Sequence, residues 1–286
     1  MSEKKYRKDL LHIFTVFLMG YLGCIGYLWF FQDLFLYPAG REKPIIHAER
    51  ENAIETVKIT THDGLELEGW FYNSPSSGND GQRMAAVVYH GNAGNIGNRF
   101  HILDTFKDCG MDVLLTSYRG YGGNPGKPSE EDIYSDAKAF LKFLINNKNY
   151  DAQDIVLYGE SLGTGVAIDV ASDFNIAGLV LESPYKSILD TAKDRYFFVP
   201  FMRYLLNDHF RSDLKITDIK GKKLFLIGSR DTTVLPEQSL ALFNLAEPPK
   251  SKHIFEGARH SGLYDYGAKS VIQDFVVREF GSGCAE

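Results

Sequence analysis

The chain has 286 residues, a formal charge of -6 and 44% apolar residues; it is long enough for one large α/β domain, and no internal repeat, low-complexity tract or second linker divides it. The acidic balance, without clustered Lys and Arg, excludes the electrostatic footprint of a nucleic-acid-binding protein. Three cysteines, one of them within an apolar run, exclude a disulfide framework. Cys109 follows a helix-like segment and Cys284 lies in the tail, and nothing in the sequence pairs them.

The first 31 residues differ from all that follows. Lys4, Lys5, Arg7 and Lys8 precede an apolar run from Leu10 to Phe31 in which only His12 can carry charge. As a helix the run reaches about 33 Å, enough for a hydrocarbon core of about 30 Å. Basic residues before it and Trp29 near its end predict one span, with the N-terminus cytoplasmic and the bulk of the chain on the non-cytoplasmic side. A cleaved signal peptide has a shorter apolar region, about 7 to 15 residues, and a small-x-small site that this run lacks. Tyr21-Leu22-Gly23-Cys24 is a poor lipoprotein box, and apolar residues on every face argue against a buried amphipathic helix. The expected organisation is an anchor over residues 1–31, a connector over 32–54 and a globular domain over 55–286.

In the connector, Phe35-Leu36-Tyr37-Pro38 is an apolar tetrad that reads as a linker packed on the domain, with a place at the membrane surface as the alternative. Two alternating stretches, Thr56 to Thr61 and Leu65 to Tyr72, flank His62-Asp63-Gly64 and predict a hairpin, followed by a loop from Asn73 to Gln82. Beyond the loop the pattern becomes short apolar strands separated by helices, which reads as a buried, mostly parallel sheet with helices on both faces. The strands fall at Ala85 to Tyr89, Met111 to Thr116, Ile155 to Tyr158, Ala177 to Leu181, Leu224 to Ile227 and His253 to Phe255. Helices are expected over Ile96 to Asp108, over Ser129 to Asn146 with Ser129 as N-cap, and over Ser261 to Phe280. Between Pro184 and Ile216 lies an aromatic insertion that reads as two short helices packed on the sheet edge, or as a small cap over an apolar pocket.

The chemistry centres on Asp154 to Ser172, which reads as strand, sharp turn and Ala-rich helix with Gly159-Glu160-Ser161-Leu162-Gly163 at the turn. The pentapeptide alone arises by chance, but a serine between such flanks matches a nucleophile elbow, where Gly159 and Gly163 leave room for strand and helix to approach. A serine hydroxyl needs a base, and the base needs a group to orient it. Asp231 lies just past the strand ending at Ile227, and His260 just past the strand ending at Phe255, in the order Ser, Asp, His. Glu182, after Leu181, is a rival acid; Asp231 is preferred because its loop neighbours that of His260. For the oxyanion, the candidate donors are the backbone N–H groups of Leu162 and of Asn92, the latter in the loop His90-Gly91-Asn92-Ala93-Gly94-Asn95. His90 reads as a brace for that loop. The remaining histidines are scattered, no His-Glu-x-x-His or Cys-x-x-Cys occurs, and neither metal nor organic cofactor is expected.

These segments, with Tyr118-Arg119-Gly120-Tyr121-Gly122, Pro128-Ser129-Glu130 and Glu182-Ser183-Pro184, resemble the α/β-hydrolase superfamily from about Gln32 onward, and within it the Bem46-like group of membrane-anchored hydrolases. The resemblance implies Ser161, Asp231 and His260 as the triad, and Glu182 as structural. Ser117 stands where the group often has Asp, Leu235 separates Val234 from Pro236, and His260-Ser261-Gly262 replaces the more usual His-Asn-Asp. These departures bear on substrate preference rather than on the reaction. The expected protein is a membrane-anchored serine hydrolase of an ester, thioester or amide, with a lipid or other acyl substrate favoured, a peptidase second, and a non-catalytic scaffold third. The bilayer is its expected partner, through residues 10–31.

Overall fold

Continuous burial along the central strands sets the architecture of the computed structural model, which describes residues 3–75, 83–281 and 283–284. Met1, Ser2 and most of the expected loop from Asn73 to Gln82, from position 76 on, lie outside the described residues. The hairpin is β1 (Ile54–Thr60) and β2 (Glu66–Tyr72), antiparallel with Ile54 opposite Tyr72. The strands β3 (Ala85–Tyr89), β4 (Asp112–Thr116), β5 (Ile155–Glu160), β6 (Gly178–Glu182), β7 (Lys222–Gly228) and β8 (Lys250–Phe255) follow. They form one sheet in the order β1-β2-β4-β3-β5-β6-β7-β8, with β2 antiparallel to β4 and every later pairing parallel.

Successive residues of a strand point to opposite faces, and both faces are buried here. Ala85, Val87 and Tyr89 enter one hydrophobic core while Ala86 and Val88 enter the other. The helices are α1 (Glu3–Phe30), α2 (Gln32–Leu36), α3 (Phe100–Lys107), α4 (Glu130–Asn147), α5 (Leu162–Asp173), α6 (Ile188–Arg195), α7 (Met202–Leu205), α8 (Pro236–Leu245) and α9 (Ala268–Phe280). The first core takes Ile133 and Phe140 of α4, Val166 of α5 and Leu242 of α8; the second takes Ile102 and Phe106 of α3, with Ile272 and Phe275 of α9. Apolar burial on this scale is the main driving force of folding.

Sequence order leaves β3 toward β4 on one side and returns through β5 on the other, so the order reverses between β3 and β5. In open α/β sheets a crevice opens at the carboxyl ends of the strands at such a point. The loop after β3 and the turn after β5 face each other there.

Two expected helices are broken at functional loops. The segment from Ile96 to Asp108 opens with a 3-10 turn, Ile96–Asn98, capped by Asn95, whose side chain accepts from the Gly97 N–H at 2.9 Å; α3 begins after Arg99. From Ser261 to Phe280, a 3-10 turn at Leu263–Tyr266 ends at Gly267, whose φ of +94° only glycine adopts easily, and α9 starts beyond it. Ser129 caps α4, accepting from the Asp132 N–H at 3.3 Å.

The connector lies on the domain. Tyr37 is buried and donates to Asp208 at 2.7 Å, Ala39 bridges Gly94, and the Gly122 N–H donates to the Gly40 carbonyl at 2.7 Å. The insertion forms α6 and α7, and Ser187 caps α6 by accepting from the Asp190 N–H at 2.9 Å.

One result departs from the sequence reading. Cys109 and Cys284 form a disulfide across a separation of 175 residues. Nothing local announces it: α9 packs against α3, and the tail beyond α9 returns to the end of α3. A bond that closes so long a loop restricts the unfolded chain and is worth about 2–4 kcal/mol. Reduction should therefore lower the thermal midpoint in detergent, and Cys284→Ser should start at the lowered midpoint and ignore dithiothreitol.

Candidate active site

The turn after β5 determines the rest of the site. Ser161 has φ +49° and ψ -114°, a conformation that costs a non-glycine residue about 1–3 kcal/mol. Hydrogen bonds sustain it: the Ser161 N–H donates to the Glu182 carbonyl at 2.9 Å, and the Ser161 carbonyl accepts from the Thr164 N–H at 2.9 Å and the Thr164 hydroxyl at 2.6 Å. Neither flanking glycine can carry a side chain. A Cβ on Gly163 would lie 2.0 Å from the Tyr89 carbonyl oxygen, and one on Gly159 would lie 2.5 Å from the Gly163 carbonyl oxygen.

The sheet brings Ser161, His260 and Asp231 together from three strand ends. Ser161 Oγ is 2.8 Å from His260 Nε2, and His260 Nδ1 is 2.7 Å from Asp231 Oδ2. A carboxylate only accepts, so Nδ1 carries the proton and Nε2 presents its lone pair to the serine. Asp231 is buried, and its other oxygen accepts from the N–H groups of Thr233 at 2.8 Å and Val234 at 2.9 Å. Oδ2 alone is thus left for the imidazole. The Ser183 hydroxyl donates to the His260 carbonyl at 3.1 Å and holds the backbone of that loop.

Opposite Ser161 the loop after β3 is held from several sides. Tyr118 donates its hydroxyl to the His90 carbonyl at 2.8 Å, Tyr121 donates to the Asn92 carbonyl at 2.9 Å, and the Asn92 amide donates to the Leu36 carbonyl at 3.1 Å. The Asn92 N–H and Leu162 N–H make no hydrogen bond to another group among the described residues, and both residues line the cavity in which Ser161 sits. His90 is fully buried against Tyr118 and Tyr121, and burial, then the positive Arg99, lower its pKa to about 4. A neutral ring of that kind supports the loop and does not compete with His260.

Two further carboxylates flank Ser161. Glu160 and Glu182 are register partners on β5 and β6. Arg99 grips Glu160 with two bonds of 2.8 and 3.1 Å, and the Gly91 N–H donates to the same carboxylate at 3.2 Å. Burial acts to raise the Glu160 pKa, but Arg99 outweighs it and leaves this group ionised and below its usual value. Glu182 pairs with no cation among the described residues; the Tyr158 hydroxyl bonds it, and burial, followed by repulsion from Glu160, pushes its pKa up to about 8. Glu182 makes no bond to His260, which is held by Asp231 instead. Tyr118, Tyr121 and Glu160 lie in motifs the sequence shows, but their partners, and the part played by Arg99, could not be read from it because each bond joins residues far apart in the chain.

Above Ser161 lies a cavity of about 340 Å³. One wall comes from the insertion, through Ile188, Ala192, Tyr196, Val199 and Met202. The other comes from the N-terminal helices, through Ile25, Leu28, Trp29, Gln32, Phe35 and Leu36. Sequence reading treated the apolar N-terminal run as an anchor alone and missed its place in this wall. Arg195 is the one charged side chain among the described lining residues.

Known proteins share both the sequence and the architecture. The profile of the family described as serine aminopeptidase, S33, matches residues 81–211, a stretch that includes Ser161 but neither Asp231 nor His260. Protein bem46 of Schizosaccharomyces pombe is 31% identical over 272 residues, covering 90% of this chain and 89% of its own. The chain belongs to the Bem46-like group of the α/β-hydrolase superfamily. An uncharacterised protein of Mycobacterium tuberculosis strain H37Rv is 32% identical over 91% of both chains, and an uncharacterised membrane protein of Saccharomyces cerevisiae is 29% identical over 89% of this chain and 92% of its own. Esterase Pf2001 of Pyrococcus furiosus superposes with a TM-score of 0.68 at 22% identity, over 86% of this chain and 99% of that one. An acetyl xylan esterase from Paenibacillus sp. R4 gives 0.67 at 21%, over 82% and 87%. This Bem46-like protein therefore has the α/β-hydrolase fold and is a hydrolase.

The paired carboxylates give a pH signature. Glu182 in the unfolded chain titrates near the ordinary value of about 4.3, so between about pH 4.3 and 8 the folded state holds a proton that the unfolded state has lost. Stability associated with Glu182 is complete below that window and is lost as the pH rises through it. Urea unfolding should show a few kcal/mol of this decline, and Glu182→Gln should flatten the profile between pH 5 and 8.

Proposed function

We propose that this Bem46-like protein is a serine hydrolase of acyl esters that works through a covalent acyl enzyme. The observation that carries the reading is the continuous hydrogen-bonded series from Ser161 Oγ through His260 to Asp231, which opens on an apolar cavity. In this reading His260 Nε2 takes the Ser161 proton as Oγ attacks the substrate carbonyl, and Asp231 keeps the ring oriented and stabilises the imidazolium. The N–H groups of Leu162 and Asn92 receive the oxyanion. His260 then passes its proton to the leaving alcohol. A water, deprotonated by the same nitrogen, releases the acid and restores Ser161.

An aminopeptidase reading is favoured by the description of the matching family profile. It meets an obstacle in the cavity. Recognition of a substrate α-ammonium calls for an acidic partner, and neither Asp nor Glu is among the described lining residues, whereas Arg195 is. Apolar walls and one cation suit an acyl chain and a neutral or anionic head group.

For the membrane arrangement, the basic residues before the apolar run support an N-terminus in the cytoplasm and a hydrolase domain on the other side. The Cys109–Cys284 disulfide supports the same placement, since such bonds persist in oxidising compartments. In sealed vesicles of known orientation, protease added on the non-cytoplasmic side should digest the hydrolase domain; its survival there would refute the placement.

The chemical test is direct. Ser161→Ala should lower turnover of a short acyl ester by roughly four to six decades and abolish labelling by a fluorophosphonate probe, with the fold intact by circular dichroism. Asp231→Asn should cost about four decades by stabilising the wrong imidazole tautomer. Near wild-type turnover in Ser161→Ala would refute the assignment.

A further inference from the structure

The apolar N-terminal helix touches the rest of the protein along one stripe near its end. Tyr21 donates its hydroxyl to the Phe198 carbonyl at 2.7 Å. Ile25 and Leu28 are half-buried, whereas the residues between Lys5 and Gly20 are exposed. Gln32 donates to the Leu205 carbonyl at 3.2 Å and accepts from the Asn207 N–H at 2.8 Å. Positions 21, 25, 28 and 32 lie on one helical face, and that face meets the insertion.

This contact sets a depth. The apolar run needs nearly all of its 22 residues, Leu10 to Phe31, to cross a core of about 30 Å. Tyr21 lies about 15 Å before the end of the run along the helix axis. A chain segment bonded to Tyr21 therefore sits below the membrane surface on the domain's side, and helix tilt reduces the depth without lifting the segment into water. The composition of the segment agrees. Phe197 is 85% exposed, Phe201 76% and Tyr204 82%, and Phe198 is exposed beside them. Cations flank these rings: Lys193, Arg195 and Arg203 are exposed, with Asp194 tied to Gln238. Exposed aromatic residues bordered by Lys and Arg are the pattern of a segment that lies in a membrane interface.

We infer that the insertion is embedded in the leaflet on the domain's side, and that the cavity above Ser161, walled by α1 and the insertion, receives the single acyl chain of an ester drawn laterally from that leaflet. The inference deepens the acyl-ester reading and rests on it for the chemistry, but the embedding stands independently. A volume of about 340 Å³ lies at the small end of ligand cavities and suits one chain rather than two. Arg195, at the cavity wall and free to extend, is placed to reach a phosphate or carbonyl of the head group. The acyl carbonyl then meets Ser161, with the chain lying against Leu28 and Val199.

The test uses the full chain in liposomes of phosphatidylcholine and phosphatidylglycerol. For depth, a nitroxide is attached in a Phe201→Cys, Cys24→Ala protein and its spin-relaxation response to oxygen and to an aqueous nickel chelate is compared with that of a Lys58→Cys label on the exposed β1 strand. Oxygen should dominate at 201 and nickel at 58; nickel dominance at 201 overturns the embedding. For entry, a triple variant, Phe197→Ser, Phe201→Ser, Tyr204→Ser, is assayed on p-nitrophenyl acetate in solution and on monooleoylglycerol carried in the liposomes. Soluble-ester turnover should hold within twofold while vesicle turnover falls at least tenfold. Equal rates of vesicle turnover in wild type and variant overturn lateral entry, and so does a parallel loss on both substrates. If the wild type cleaves neither ester while the 201 label lies in lipid, the acyl-ester reading fails and the embedding stands.

Discussion

The glycine with the least room for a side chain among the described residues sits against a strand end. Gly163, in the first turn of α5, faces the Tyr89 carbonyl with no room for a single carbon, and Gly159 faces the first turn of the same helix. That approach puts the N-terminus of α5 beside the loop after β3, so Leu162 and Asn92 line the same cavity as Ser161. It also forces Ser161 into a left-handed backbone, whose cost is offset by bonds to Glu182 and Thr164. A looser turn would relax the serine and separate Leu162 from Asn92 at once. The reactive geometry and the strain have the same origin.

A second constraint follows from the register. Glu160 and Glu182, side by side on β5 and β6, would place two negative charges next to a serine expected to generate a third. The fold treats them differently: Arg99 neutralises one, and burial holds a proton on the other. The Arg99–Glu160 pair also ties α3 to the turn, because the Gly91 N–H shares the carboxylate and Arg99 donates to the Asn95 carbonyl at 3.3 Å. The charge solution and the mechanical brace of the loop are therefore one set of atoms. The break before α3 has its explanation here: Arg99 leaves the helix for Glu160.

The strands were legible because burial on both faces makes continuous apolar runs, and the nucleophile turn was legible because only small residues fit its crossing. The order Ser161, Asp231, His260 could be read since each follows a strand end, where topology places ligands. Helix starts were read less well at Ile96 and Ser261, where 3-10 turns serve the loops carrying Asn92 and His260. What could not be read is whatever depends on distant partners: the hold of Tyr121 on Asn92, the grip of Arg99 on Glu160, and the return of Cys284 to Cys109. Hydropathy finds a long apolar helix but is silent on which face of it meets protein.

That last point alters the meaning of the N-terminal helix. An anchor joined by a free linker contributes only proximity, and its sequence beyond hydrophobicity is immaterial. Here Ile25, Leu28 and Trp29 line the cavity, and Gln32 locks the junction of α1 and α2 to the insertion from both its amide donor and its carbonyl. The next turn passes the constraint onward: Leu36 accepts from the side chain of Asn92, which lines the same cavity as Ser161. A shift of the helix would therefore move a wall of the cavity and one support of the loop after β3 together. Gln32 and Leu36, separated by one turn, connect the apolar N-terminal helix to the loop beside Ser161, so that helix is structurally part of the cavity.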